Sequence, residues 1–175
     1  MMLKCIAIST PDAQFSALAI KENFRDSIRK VAALGYDAVE LHIRDPKRID
    51  VNEIDDLLHQ YRLPVPTIGT GQAYGEEGLS FADPDPKIRQ KAVQRIKDQI
   101  DLAFRLGIPR VTIGLIRGTV KPGGDNDQAE GYVIECLLQC LDYNPAVTLI
   151  LEPINRYETS LYNDADSAKE LIDRI

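Results

Sequence analysis

Val147-Thr-Leu-Ile-Leu-Glu-Pro-Ile-Asn-Arg-Tyr-Glu-Thr159 reads as a short apolar strand that runs straight into a carboxylate. Thr148, Ile150 and Glu152 share one face by the two-residue period of a strand, and Val147, Leu149 and Leu151 share the other. Pro153 removes a backbone donor directly after Glu152, so ladder pairing is expected to stop there. A carboxylate at the end of a buried strand is costly unless something pairs with it. Two readings stay open on the residues alone. Glu152 is bridged to a neighbouring arginine, or it is a metal ligand or proton-transfer base at the open end of a parallel sheet.

Working outward, four earlier stretches carry the same alternation. Strands are predicted over residues 3–9, 38–43, 65–69 and 110–115, each followed by a helical pattern. Helices are expected over residues 22–34, from Asp50 or Asn52 to Tyr61, 85–106 behind an Asp85-Pro86 start, 128–143, and after Asn163 or Asp164. The inner face of the fourth-strand helix is read as Val93, Ile96, Ile100, Ala103 and Phe104. Residues 70–85 read as a long polar loop, its Gly71–Gly78 part with Tyr74 either a lid over a substrate or simple disorder, and residues 116–127 as a loop rich in glycine and basic side chains. Strict βα alternation implies a parallel sheet with right-handed crossovers.

Such a sheet is either doubly wound or part of a barrel. A doubly wound sheet shows apolar residues on both faces of its central strands. Here one parity is small or polar in every strand (Cys5/Ala7/Ser9, Ala38/Glu40/His42, Thr67/Gly69, Thr112/Gly114, Thr148/Ile150/Glu152), and the other is dominated by Ile, Val and Leu. A barrel produces that split: a crowded interior leading to a polar mouth, with a greasy exterior under the helices. The predicted fold class is therefore α/β, a (β/α)₈ TIM barrel present as about five βα units in one domain over residues 1–175. A full barrel takes ~250 residues. The chain is thus expected to be the N-terminal portion of a longer protein, or to complete itself as a homo-oligomer, because its first and last strands would otherwise be open edges.

Composition narrows the function. The net charge of −6 and pI near 5.0 disfavour a nucleic-acid backbone as partner. No apolar window approaches a membrane span, and the first nine residues make no signal peptide. Cys5, Cys136 and Cys140 follow no disulfide framework, which fits reduced thiols and a cytoplasmic location.

The segment Glu152-Pro-Ile-Asn-Arg-Tyr-Glu158-Thr resembles the fifth-strand signature of the xylose-isomerase-like TIM barrels, nearest the D-tagatose 3-epimerase and hydroxypyruvate isomerase relatives. Gly35-Tyr-Asp-Ala-Val-Glu-Leu41 and Leu106-Gly-Ile-Pro-Arg-Val-Thr-Ile-Gly114 resemble that family's second-strand and fourth-strand junctions. The resemblance implies a sugar or sugar-phosphate isomerase or epimerase that abstracts a proton next to a ketose carbonyl with a divalent metal (Mn²⁺, Mg²⁺ or Co²⁺). It places metal binding and proton transfer on Glu152, and makes Glu158 a second catalytic, substrate-contacting carboxylate. The family's remaining ligands (an Asp, a His and a second Glu) come from strands six to eight, which this chain does not supply, so the chain alone is not expected to hold the metal. Glu40, His42, Arg117 and Asn155 are the candidate substrate contacts. His42 is read equally as a sugar contact or as a buried histidine satisfied by Glu40 or a loop, and Arg117 as a ligand for a phosphate or enediolate or as one half of a surface ion pair. Alternatives are a non-catalytic sugar-binding or self-assembling half-barrel and, more remotely, a metal-dependent DNA-repair phosphodiesterase, disfavoured by two histidines and an acidic balance.

Overall fold

The computed structural model describes residues 2–10, 20 and 23–175. Five strands, β1 (Cys5–Ser9), β2 (Ala38–His42), β3 (Ile68–Gly69), β4 (Arg110–Ile113) and β5 (Thr148–Leu151), pair in parallel in the order β1-β2-β3-β4-β5. That sequential order decides the architecture. A doubly wound sheet reverses its strand order at a switch point, whereas a barrel adds each strand beside the last. The chain forms a partial TIM barrel.

The register places the alternation as the sequence implies. Ala7 lies opposite Glu40, Ser9 opposite His42, His42 opposite Gly69, and Gly69 opposite Thr112. These residues line one face. The other face, with Ile8, Val39, Leu41, Ile68, Val111 and Ile113, is buried against the helices. β3 is shorter than the predicted 65–69 because Pro64 and Pro66 lack N–H groups; the Pro64 and Thr67 carbonyls still accept from the Val39 and Leu41 amides of β2.

There are six α-helices among the described residues: α1 (Phe24–Ala33), α2 (Val51–Tyr61), α3 (Gly71–Glu77), α4 (Pro86–Arg105), α5 (Asn126–Leu141) and α6 (Ala165–Ile172). Asn23, Asp50, Asp85, Asp125 and Asp164 each accept a bond from a first-turn amide, which fixes five helix starts. Asp50 and Asp164 are therefore the caps, rather than Asn52 and Asn163. Residue 22 and residues 11–17, in the predicted start of the first helix and the loop before it, lie outside the described residues.

Two expectations are corrected. The stretch 70–85 is not one loop: it contains α3, closed by Gly78 in the left-handed region (φ 66°). Arg44 holds Glu76 (3.1 Å), and Arg95 grips Glu77 through both terminal nitrogens (3.0 and 3.1 Å), so α3 is moored to β2 and α4. Phe104 is 61% exposed instead of buried. It lies 40° past Ile100 around the helix, and the inner stripe runs through Ala92, Ile96, Gln99 and Ala103. Gln99 is fully buried because its amide donates to the Ile43 carbonyl (2.7 Å) at the end of β2.

The two sheet faces make a direct test. Leu41→Ala, at a fully buried outer-face position, is expected to cost about 2–5 kcal/mol in urea unfolding. Thr148→Ala, exposed on the opposite parity, should stay within about 0.5 kcal/mol of wild type.

Candidate functional site

The C-terminal ends of the strands form the polar mouth. Glu152 follows β5 directly, and its amide still bonds to the Ile113 carbonyl (3.1 Å), so the carboxylate leaves the sheet at a fixed height. The side chain lies across Gly114 of the neighbouring strand. A Cβ added at Gly114 would stand 2.7 Å from Glu152 Oε2, so any side chain there would push the carboxylate out of this position. Gly69 does the same for β2: a Cβ there would meet His42 Nε2 at 2.7 Å and Glu40 Oε1 at 3.0 Å. Both glycines sit on the interior parity, which was legible; their service as seats for charged side chains was not.

Glu40 and His42 form one unit, with His42 Nε2 3.0 Å from Glu40 Oε1. Both are half-buried and face the interior. Burial raises the Glu152 carboxyl above the ordinary glutamate range, and repulsion from Glu40 adds to it; His42 and Arg117 pull the other way, and Glu158 adds a smaller upward push. A raised proton affinity is the direction a carboxylate base requires.

Asn155 and Glu158 lie on the turn after β5, both exposed. Asn155 Nδ2 donates to Glu158 Oε1 (2.6 Å), and Asn155 Oδ1 accepts from the Tyr157 amide (2.9 Å). The turn is anchored beneath by Asn163, whose amide donates to the carbonyls of Ile154 (2.7 Å) and Thr159 (2.8 Å). Asn163 entered the sequence reading only as a helix cap; nothing in its spacing marks this second task.

Arg117 is the correction. Neither a ligand contact nor a surface ion pair, it is fully buried, and its guanidinium is spent on main-chain carbonyls. Nε donates to Leu161 (3.1 Å), Nη1 to Gly114 (3.0 Å) and Glu152 (2.6 Å), and Nη2 to Tyr162 (3.2 Å). The loop expected at residues 116–127 begins with a 3₁₀ turn, Leu115–Arg117, which swings this side chain inward.

A divalent metal needs several oxygen or nitrogen ligands. Among the described residues, no group of three or more His, Cys, Asp or Glu side chains could hold a metal ion. Glu152 supplies one carboxylate, and its interior neighbours Glu40 and His42 bond to each other. The described residues do not by themselves fit the metal.

With the geometry in place, the similarities are informative. A family model described as a xylose isomerase-like TIM barrel matches residues 28–175. The L-ribulose 3-epimerase of Methylomonas sp. (strain DH-1) is 27% identical over 158 residues, covering 86% of this chain and 52% of that protein. The crystal structure of D-allulose 3-epimerase from Methylomonas sp. in complex with D-allulose superposes with a TM-score of 0.72 at 27% identity, over 85% of this chain and 51% of the other. A D-psicose 3-epimerase structure determined in the presence of D-fructose gives a TM-score of 0.77 at 19% identity, covering 98% of this chain and 59% of that one, a likeness of fold. The chain spans about half the length of the relatives it matches.

A raised carboxyl value has a stability signature. The folded state holds the Glu152 proton more tightly than the unfolded chain, so stability falls as pH rises from the ordinary glutamate value of 4.5 through the raised one. Glu152→Gln is therefore expected to be more stable than wild type at pH 7, with the gap closing below pH ~4. Urea melts at both pH values check it; a variant less stable at neutral pH contradicts the assignment.

Proposed function

The chain belongs to the xylose isomerase-like TIM barrels, and from that premise we propose that it carries the proton-transfer half of a ketose 3-epimerase site, acting on a sugar such as D-allulose or L-ribulose. The observation that supports this reading most is the seat of Glu152: a carboxylate with a raised affinity for its proton, held over Gly114 at the mouth of β5.

In this reading the ketose lies in the mouth with its C3–H toward Glu152. The carboxylate takes the C3 proton, the C–H electron pair becomes the C2–C3 double bond, and the carbonyl oxygen takes up the negative charge of an enediolate. Protonation of C3 on the opposite face gives the epimer; protonation at the neighbouring carbon would give isomerisation. The Glu40–His42 pair, aligned by Gly69, offers a donor and an acceptor to sugar hydroxyls. Asn155 and Glu158 present a second polar pair from the turn above β5. The described residues do not complete a metal site, so no step here runs through the Mn²⁺, Mg²⁺ or Co²⁺ ion that the full barrel is expected to hold.

One domain over residues 1–175, cytoplasmic and handling small sugars rather than nucleic acid or membrane, accompanies this reading. The thiols of Cys136 and Cys140 are buried and pushed up to about 12 by desolvation, which makes them packing residues rather than reactive groups. No helix among the described residues is long and apolar enough to cross a membrane. A second reading, a self-assembling or sugar-binding half-barrel without catalysis, has its own support. β1 and β5 are sheet edges among the described residues, and an apolar cleft of about 330 Å³ opens between β5, α5 and α6, lined by Leu137, Leu149, Leu151, Leu171 and Ile172. A homo-oligomer would cover it.

The natively expressed protein, incubated with D-allulose and with L-ribulose in heavy water with Mn²⁺, decides between them by NMR. Deuterium is expected at C3 together with the epimer, and Glu152→Gln should slow its appearance by about 10²–10⁴-fold. Sugar binding without C3 exchange would sink the epimerase and leave the half-barrel; undiminished exchange in Glu152→Gln would remove Glu152 from the chemistry.

A further inference from the structure

Four main-chain carbonyls from three segments converge on one buried guanidinium. Gly114 closes β4, Glu152 closes β5, and Leu161 and Tyr162 precede α6. We infer that Arg117 is a positioning residue for Glu152: it fixes the peptide from which the carboxylate projects and the glycine over which the carboxylate lies. This rests on the epimerase reading and goes a step beyond it, because it assigns the alignment of the base to a side chain that touches no substrate.

The pattern of contacts is what separates alignment from simple stability. Nη1 bonds at once to the carbonyl of Glu152 and to that of Gly114, so both walls of the carboxylate's seat hang on a single nitrogen. Nε and Nη2 hold the chain at residues 161–162, where the turn bearing Asn155 and Glu158 returns. Tyr162 adopts a left-handed backbone (φ 55°), uncommon for an aromatic residue, in the conformation that delivers its carbonyl to Nη2.

The arginine itself cannot drift. Gly118 follows it at φ 84°, and a Cβ there would stand 1.9 Å from Ser80 Oγ. The Gly118 carbonyl accepts from Thr159 Oγ1 (2.5 Å), and Ser160 Oγ accepts from Thr119 Oγ1 (3.0 Å) and the Val120 amide (2.9 Å). The segments 114–120 and 152–163 are therefore tied to each other at several points. A buried cation is a poor choice for stability alone, since apolar side chains of similar volume often serve as well or better. A rigid planar fork is the side chain that holds several acceptors at fixed mutual angles, and a lysine cannot reproduce it.

The test uses the natively expressed protein with Arg117→Lys and Arg117→Met, read by C3 deuterium exchange, with the folded fraction taken from a thermal melt. Leu57→Ala, a core truncation under α2, supplies destabilisation away from the mouth. In Arg117→Met, kcat per folded molecule is expected to fall about 10–100-fold, the cost of an ångström-scale misplacement, with KM moving less than about threefold. Arg117→Lys should recover part of the loss, and Leu57→Ala should keep the wild-type kcat. Wild-type kcat in folded Arg117→Met, an equal loss in Leu57→Ala, or failure of both arginine variants to fold would overturn the proposal. An inactive wild type would instead strike the epimerase reading. Positioning is then decided by the crystal structure of Arg117→Lys: a Glu152 carboxylate displaced from Gly114 by about 1 Å sustains it, and an unmoved one overturns it.

Discussion

A strand side chain can face only one of two ways, and in a sheet built by adding each strand beside the last, that choice sorts the whole molecule. Leu41, Val111 and Ile113 go outward under α-helices; Ala7, Glu40, His42, Gly69, Thr112 and Gly114 go inward. The inward set is small where the strands crowd and polar where they open. Slipping one strand by one residue would bury its carboxylate under helices and expose its leucines, so register and site are specified together.

The interior glycines show how packing becomes chemistry. A barrel interior has little room, and at Gly69 and Gly114 the missing side chains are replaced by the acidic and imidazole groups of the adjacent strand. Glu152 remains exposed at the mouth, and partial desolvation beside the backbone is the largest contribution to its raised proton affinity. Geometry and basicity thus have one cause. The Glu40–His42 pair, set over Gly69, applies the same solution one strand away from β4.

Around the mouth, order comes from polar side chains bonded to main chain. Arg117, Asn163, Thr159 and Gln99 all satisfy backbone groups that the end of a β-sheet leaves unpaired. Loops near a functional site need such internal ties, because they lack the apolar contacts that hold strands and helices. α3 is held differently, by side-chain ion pairs from Arg44 to Glu76 and from Arg95 to Glu77.

Much of this was decided by local sequence. Alternation in five short stretches, proline after Glu152, Asp-Pro before α4 and glycine after helices are near-neighbour signals, and they were enough for the parallel sheet, the start of α4 and the interior parity of Glu40 and His42. What the sequence could not decide were relations between residues far apart in the chain. The helix in residues 71–77 depends on arginines at positions 44 and 95, and the exposure of Phe104 on which stripe of α4 meets the sheet. Arg117 is the sharpest case. In sequence it is a cation between glycines, which reads as an anion contact or as one half of a surface ion pair. Only the tertiary structure brings carbonyls from residues 152, 161 and 162 to it, because a hydrogen-bond partner some forty residues away leaves no periodicity for local patterning to detect.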